Sequence, residues 1–230
     1  RLLAQRADAV VVIEGWDAVA AALGDLLGTS GIGRVYRPAR VGVHPRSASG
    51  PVANPRAGDT VTSGSSVDDP RPPAVVPQRA PSTVRHHHPP SHTPPDLVVL
   101  AGARQADRGR AAALVAAMVP HLAVRAGTPR GIVGPLVLPG RSACLNCLDR
   151  HRTDRDPDWR AIAATAPYAP PTSLMTQSVA ALAARQVLDW IDGMHRPASV
   201  DATLECDADR LGPARRSWPQ HPGCGCRLLG

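Results

Sequence analysis

The 230-residue chain contains no lysine and no phenylalanine, and aromatic residues make up only 3% of it. Its 26 strongly basic side chains are therefore all arginine. Without an ammonium group to grip a phosphate, lysine-dependent phosphate chemistry is excluded. Long apolar runs are missing too: none reaches the roughly 18–20 residues that a membrane span needs, and no signal peptide is visible. The expectation is a soluble, cytoplasmic protein with no membrane partner, whose thiols stay reduced and free to bind metal. The chain opens on Arg1 rather than Met, so its natural N-terminus is expected upstream. The net charge is +7. The arginines are scattered rather than massed on one segment. With abundant alanine, proline and glycine, they read as the composition of a GC-rich gene. A basic zinc protein that binds nucleic acid is the weaker alternative. The length suffices for one sizeable core and one long insertion.

Cysteine is scarce as well, but its placement is informative. Four of the five cysteines fall in two tight pairs. A strand-like run from Gly131 to Pro139 delivers Cys144-Leu145-Asn146-Cys147, and near the end of the chain stands His221-Pro222-Gly223-Cys224-Gly225-Cys226. Two close pairs far apart in sequence are the pattern of a closed four-thiolate zinc site, because zinc takes four soft ligands in a tetrahedron. The second pair has a single intervening residue, so Gly225 is expected to take a tight backbone conformation between the ligands. A Cys-x-x-Cys at a strand-to-helix junction also fits a redox disulfide, but such a motif has no need of a second pair. Unrelated buried cysteines would leave the pairing unexplained. The fifth, Cys206, alternates within an expected strand and reads as a packed residue rather than a nucleophile.

Along the chain, Ala9 to Ile13 is a β-branched run that reads as a buried parallel strand. A helix follows over Asp17 to Leu27, with Leu23, Leu26 and Leu27 on its apolar side and Gly28 as C-cap. Gly31 to Tyr36 turns into a second strand, giving half of a βαβ nucleotide-binding unit. The chemistry of that unit is poor. Glu14-Gly15-Trp16-Asp17-Ala18 offers one glycine, Gly15, where several are needed for backbone N–H groups to approach phosphates, and its two acids repel them. Gly28-Thr29-Ser30-Gly31-Ile32-Gly33 stands after the helix and before a strand, the wrong order for a phosphate loop. From 44 to 95 the composition turns to proline, serine, arginine, glycine and histidine and the apolar period vanishes, as expected of a low-complexity, disordered insertion. Its His86, His87, His88 and His92 read as a solvated tract rather than a metal site. Order returns with a strand at Asp96 to Leu100, a helix over Asp107 to Val119 and a strand at Leu122 to Arg125. A charged, partly helical crossover over Leu148 to Ala164 is anchored by Trp159 and Ile162. Thr172-Ser173 starts a helix to about Met194, with Leu174, Val179, Leu182, Val187 and Ile191 on its apolar face and Gly193 closing it. A final strand covers Ser199 to Cys206, and Arg215 to Trp218 reads as a basic turn. The expected domains are 1–43 and 96–230, the two parts of one α/β, Rossmann-like, doubly wound and mostly parallel sheet with a C-terminal four-cysteine zinc site, and the insertion 44–95.

Gly134-Pro135-Leu136, Pro139-Gly140-Arg141, Cys144-Leu145-Asn146-Cys147-Leu148 and His221-Pro222-Gly223-Cys224, in this order of elements, resemble the ThiF/MoeB/HesA family of ubiquitin-activating-type adenylyltransferases. The likeness is nearest to the branch of azole-forming peptide cyclodehydratases and their leader-peptide-binding partners, and covers residues 8–43 and 96–226. The resemblance implies ATP and Mg²⁺ as cofactors of active members, adenylation of a carboxylate on a small protein or peptide, and a homodimer. The active residues do not carry over. Only Gly15 remains of the glycine loop, and Leu100 to Arg104 reads Leu-Ala-Gly-Ala-Arg where an acidic motif is expected. The catalytic lysine has no counterpart, and no transfer cysteine lies between Cys147 and Cys206. Arg104, Arg108 and Arg110 are the candidates for the family's arginine roles. The expectation is a zinc-stabilised module that has lost catalysis and binds a peptide or protein of a modification pathway. The alternative is an active ATP-dependent adenylyltransferase. Replacing 44–95 by a short linker is expected to leave the melting transition nearly unchanged; a large destabilisation would show that the segment packs.

Overall fold

The computed structural model describes residues 2–37, 84–85, 94–102, 104–165, 169–210 and 212–229. The insertion read at 44–95 thus lies outside the described residues except for 84–85 and 94–95, and its four histidines and Ala103 lie outside them too. Eight strands form one sheet in the order β3-β2-β1-β4-β5-β6-β7-β8. β1 (Val10–Glu14) is flanked by β2 (Arg34–Tyr36) and β4 (Leu97–Gly102). β3 (Val84–Arg85) extends the β2 side, and β5 (His121–Arg125) follows β4, all in parallel. β6 (Arg130–Val137), β7 (Ala202–Asp207) and β8 (Ala214–Ser217) then add antiparallel.

The strands are hydrophobic on both faces because both are covered, as expected of a doubly wound sheet. Val11 and Ile13 of β1, with Leu97 and Val99 of β4, point to one side, where Leu23 and Leu27 of α2 (Ala18–Thr29) and Val179, Ala183 and Val187 of α6 (Ser173–Asp192) cover them. Val10, Val12, Val98 and Leu100 point to the other, against Ala111 and Leu114 of α3 (Arg108–Ala116) and Leu145 of α4 (Leu145–Arg155). α5 (Trp159–Thr165) completes the crossover. α6 begins at Thr172, whose hydroxyl accepts from the Met175 N–H at 3.2 Å, and stops at Gly193 in the left-handed region. It can lie close on β6 because Gly131 has no side chain: a Cβ there would stand 2.2 Å from Val179 Cγ2.

Several expectations are corrected. A short helix, α1 (Leu2–Asp8), precedes β1. α2 runs on to Thr29 and Ser30 is its C-cap, so Gly28 is inside the helix. α4 starts three residues earlier than the crossover read from sequence, directly after Cys144. Leu174 and Ile162 are exposed, at 78% and 49%, because each faces away from the sheet. Arg215–Arg216–Ser217 is a strand rather than a turn: pairing with β7 supplies the order that its composition lacks. Among the described residues no helix is long and apolar enough to cross a membrane.

α1 is tied to the end of α6 by a two-pronged ion pair, Arg6 Nε to Asp192 Oδ1 at 2.7 Å and Nη2 to Oδ2 at 2.6 Å. The Arg6 hydrogen bond holds the Asp192 carboxyl below its ordinary range. A carboxylate depressed in the folded state stabilises above its unfolded pKa, and that contribution is lost as pH falls through the folded value. Asp192→Asn is therefore expected to cost roughly 1 kcal/mol in urea denaturation at neutral pH. The gap to wild type should close below the ordinary carboxylate range; a gap independent of pH would show that the pair does not set it.

Candidate metal centre and the β1–α2 junction

Strand β6 ends in a turn that aims Cys144 and Cys147 at one point. Ser142 fixes the turn, its Oγ accepting from the Leu138 N–H at 2.7 Å, while Asp201 Oδ1 accepts from the Ala143 N–H at 2.7 Å. Cys144 is the N-cap residue of α4 and Cys147 lies in its first turn. The second pair arrives from β8. Trp218, 1% exposed, buries its indole beside the sulfurs, with its N–H donated to Thr203 Oγ1 at 2.9 Å. Gln220 then donates to the Gly140 and Ser142 carbonyls, both at 3.2 Å, and pins the returning chain to the β6 turn. Cys224 follows directly before a 3-10 turn, Gly225–Leu229, and Cys226 lies within it. Gly225 needs no special conformation: a Cβ there would meet nothing within 4 Å. The 3-10 turn, not glycine freedom, brings a Cys-x-Cys onto one side of the cluster.

All four cysteines are buried and unbridged. Cys144 Sγ lies 3.8 Å from Cys147 Sγ and 3.7 Å from Cys224 Sγ, and Cys147 Sγ lies 3.4 Å from Cys226 Sγ. These separations are far beyond a disulfide bond of about 2.05 Å, and a redox pair would have no use for the second two sulfurs gathered beside it. They fit a tetrahedron: with zinc–sulfur bonds of about 2.3 Å its edges are about 3.8 Å. Asn146 Nδ2 donates to Cys224 Sγ at 3.3 Å, the kind of outer bond that orients a thiolate. The thiols themselves favour a cation. Cys147 is drawn down to about 4, foremost by the hydrogen bond from Cys144, which as donor is pushed up. Cys226 is pushed up to about 12, foremost by burial. Protons are thus unevenly shared among crowded sulfurs, a conflict that a dication would relieve. Four protein ligands leave no open position, so the centre suits a structural metal.

His151, Asp154 and His221 form a second polar group nearby, with ligand atoms within 4.8 Å of one another. Its atoms are already committed. His221 Nδ1 accepts from the Gly223 N–H at 3.0 Å, so Nε2 carries the proton and donates to Asp154 Oδ2 at 2.8 Å. His151 Nε2 meets the Pro219 carbonyl at 2.9 Å. The trio braces the cysteine-bearing tail against α4.

At the β1–α2 junction, Gly15 packs tightly: a Cβ would stand 2.2 Å from the Ala101 carbonyl oxygen. The start of α2, where phosphates would meet backbone donors, is capped from within, Asp17 Oδ1 accepting from the Ala20 N–H at 3.2 Å. Glu14 is held at the end of β1 by Arg110, through Nη2 at 2.5 Å and Nε at 2.9 Å. Arg108 is committed to Asp149. Arg104 stands on the loop after β4. The internal cap was overlooked in the sequence, although Asp17 three residues before Ala20, at the head of a helical run, is its signal.

No family model and no curated protein matches the chain in sequence. Its fold is similar to solved structures. One is E. coli MccB with ATP, at TM-score 0.63 and 17% identity over 98% of this chain and 68% of that one. Another is the microcin C7 biosynthetic enzyme MccB in complex with N-formylated MccA, at 0.63 and 15% over 98% and 69%. A third is the heterocyclase TruD, at 0.58 and 15% over 98% of this chain but only 28% of TruD. The resemblance read from the sequence is thereby borne out at the level of fold.

The four-thiol geometry predicts one zinc per chain. Elemental analysis of reduced protein should find it, and Cys226→Ser should lose it and loosen the C-terminal tail in hydrogen exchange. Structural zinc carries on the order of 10 kcal/mol of apparent binding energy. Reduced protein without metal would refute the site.

Proposed function

We propose that this chain is a zinc-held, adenylyltransferase-like module that has lost catalysis and serves a peptide-modification pathway by binding a peptide or small protein. The observation that carries the loss of catalysis is the internal capping of α2 by Asp17, beside a Glu14 carboxylate clamped by Arg110. Two acids of the chain occupy the place where backbone donors would face a nucleotide's phosphates. An adenylating site needs donors, a cation for the phosphates and an acid for Mg²⁺. Here one of those donors, the Ala20 N–H, is taken by Asp17, lysine is absent, and Gly15 packs against the Ala101 carbonyl. Zinc, held by Cys144, Cys147, Cys224 and Cys226, would supply a cross-link rather than chemistry. The pathway is supported by the neighbours in fold: MccB has been solved with a peptide and TruD is a heterocyclase. A reduced, cytoplasmic setting and a homodimer belong to the same reading.

The opposing reading, an active ATP-dependent adenylyltransferase, draws on the ATP complex of MccB. Pyrophosphate exchange into ATP with candidate peptides separates the two. It is expected to stay at background in the wild type. Exchange that survives purification and changes in Glu14→Gln would restore the enzyme. Gly15 is a poor place for such a control, because any side chain there disturbs β4.

A further inference from the structure

Six arginines that look scattered along the sequence are gathered by the fold around one cavity of about 340 Å³. Arg108 comes from α3, Arg125 from the carboxyl end of β5 and Arg130 from β6. Arg152 and Arg155 come from α4, and Arg216 from β8. The acids lining the cavity are only Asp156 and Glu205. Two of the arginines are satisfied: Arg108 makes a two-pronged pair with Asp149 at 2.6 and 2.9 Å, and Arg130 is bonded to Asp207 and reaches Glu205 at 3.3 Å.

The other four have no carboxylate within hydrogen-bonding distance among the described residues; Arg125 and Arg152 are half-buried, whereas Arg155 and Arg216 are exposed. The half-buried Arg125 guanidinium has no hydrogen-bond or ion-pair partner among the described residues. Arg152 reaches Asp149 only at 3.7 Å. Arg152, Arg155 and Arg216 lie against the Trp218 indole, at 5.1, 5.6 and 4.5 Å from the ring centre, and Arg152 also lies over Trp159 at 4.8 Å. Each such contact is worth about 0.5–2 kcal/mol, but three cations on one ring also repel one another. The strain shows in the titration of the group: burial pulls Arg152 below the ordinary arginine range, against Asp149, with Arg108 and Arg216 adding to the fall. Arg125 is pulled down by burial and then by Arg130. An anion supplying the missing lone pairs would relieve both effects. The platform is rigid, since Trp218 is buried, hydrogen-bonded to Thr203 and packed with the four cysteines.

We propose that this cavity is an oxyanion site that takes a phosphoryl group, with Arg125, Arg152, Arg155 and Arg216 as its ligands. The forks approach from three elements, β5, α4 and β8. A tetrahedral group with three oxygens and about two negative charges offers acceptors in more directions than a planar carboxylate, which suits forks drawn from separate elements. Val124, Ile132, Leu145 and Leu148 give the cavity an apolar wall on its inner side, where hydrogen bonds to an anion are stronger than in open water. The site shares no residue with the β1–α2 junction and does not depend on the function proposed above.

The test is calorimetric titration of the full, reduced, zinc-replete chain at low, fixed ionic strength. Inorganic phosphate and pyrophosphate probe a free anion, and phenyl phosphate probes a phosphate carried on an organic body; the tighter class names the source. Saturable one-site binding is expected, weakened about tenfold or more by each of Arg125→Gln, Arg155→Gln and Arg216→Gln. Arg185→Gln, on α6, should leave it unchanged. Arg155 and Arg216 are exposed, so their variants should still fold, losing no more than the Trp218 contact, and they keep the test decisive if Arg125→Gln fails to fold. No saturable binding of any probe, or binding indifferent to Arg155→Gln and Arg216→Gln, would overturn the proposal. So would tighter binding of hexaglutamate through the same arginines, which would assign the cavity to an acidic peptide. Pyrophosphate exchange reads the β1–α2 junction and this titration reads the β5–α4–β8 cavity, so either result can fail without the other.

Discussion

Four sulfur atoms from two distant stretches of chain share a volume a few ångströms across, and the C-terminal part of the molecule is arranged around that crowding. Cys144 and Cys147 are placed by a β6 turn and the first turn of α4. Cys224 and Cys226 are placed by a tail with little else to hold it: a 3-10 turn and a strand, β8, whose side chains are mostly exposed. Trp218, Gln220 and His221 each contribute one attachment, to the sheet, to the β6 turn and to α4. These anchors lie close in sequence to the second cysteine pair, and the pairing of β8 with β7 precedes them.

The same arrangement divides the electrostatics of the molecule. At the carboxyl end of β1, Asp17 accepts from the Ala20 N–H and Glu14 is paired with Arg110, so an incoming anion meets two acids there. On the β5–β8 side the balance is reversed, and guanidinium groups outnumber their acceptors around an apolar-walled cavity. Trp218 belongs to both halves of this second region, with one face of its environment made of sulfur and the other of arginine. Around that cavity six arginines face only two lining acids, Asp156 and Glu205.

Much of the sheet could be read before the structure because its central strands carry the signal locally. Val10 to Ile13 and Leu97 to Leu100 are β-branched or leucine-rich runs that have no alternative but burial. α6 announces itself with Thr172 at one end and Gly193 at the other. The cysteine pairs were legible for a similar reason, since ligand spacing is a local property. What escaped depends on contacts between distant segments. Ala-Arg-Arg-Ser has no strand pattern and becomes β8 only by pairing with β7. The seven residues of α1 are too few to show a period, and their order comes from α6 through Arg6 and Asp192. Arg125, Arg152 and Arg216 are separated by dozens of residues, and nothing in their neighbours foretells that one cavity collects them. Gly225 misled for the opposite reason: a local rule about glycine was applied where a 3-10 turn does the work.

Strand β8 also bears on how the molecule can meet others. It is the last strand on its side of the sheet, and two adjacent arginines occupy its middle. Arg215 folds back to the Ala198 carbonyl and Arg216 leans over Trp218, so charge flanks the strand on both faces. A bare strand edge is a template for another chain, and charge along it is a deterrent to that pairing. Growth of the sheet by strand addition is thus discouraged at β8, and a partner approaching from that side meets side chains and an open cavity instead of a backbone ladder. Association there would be sensitive to salt and to charge complementarity, as contacts between side chains are and backbone ladders are not.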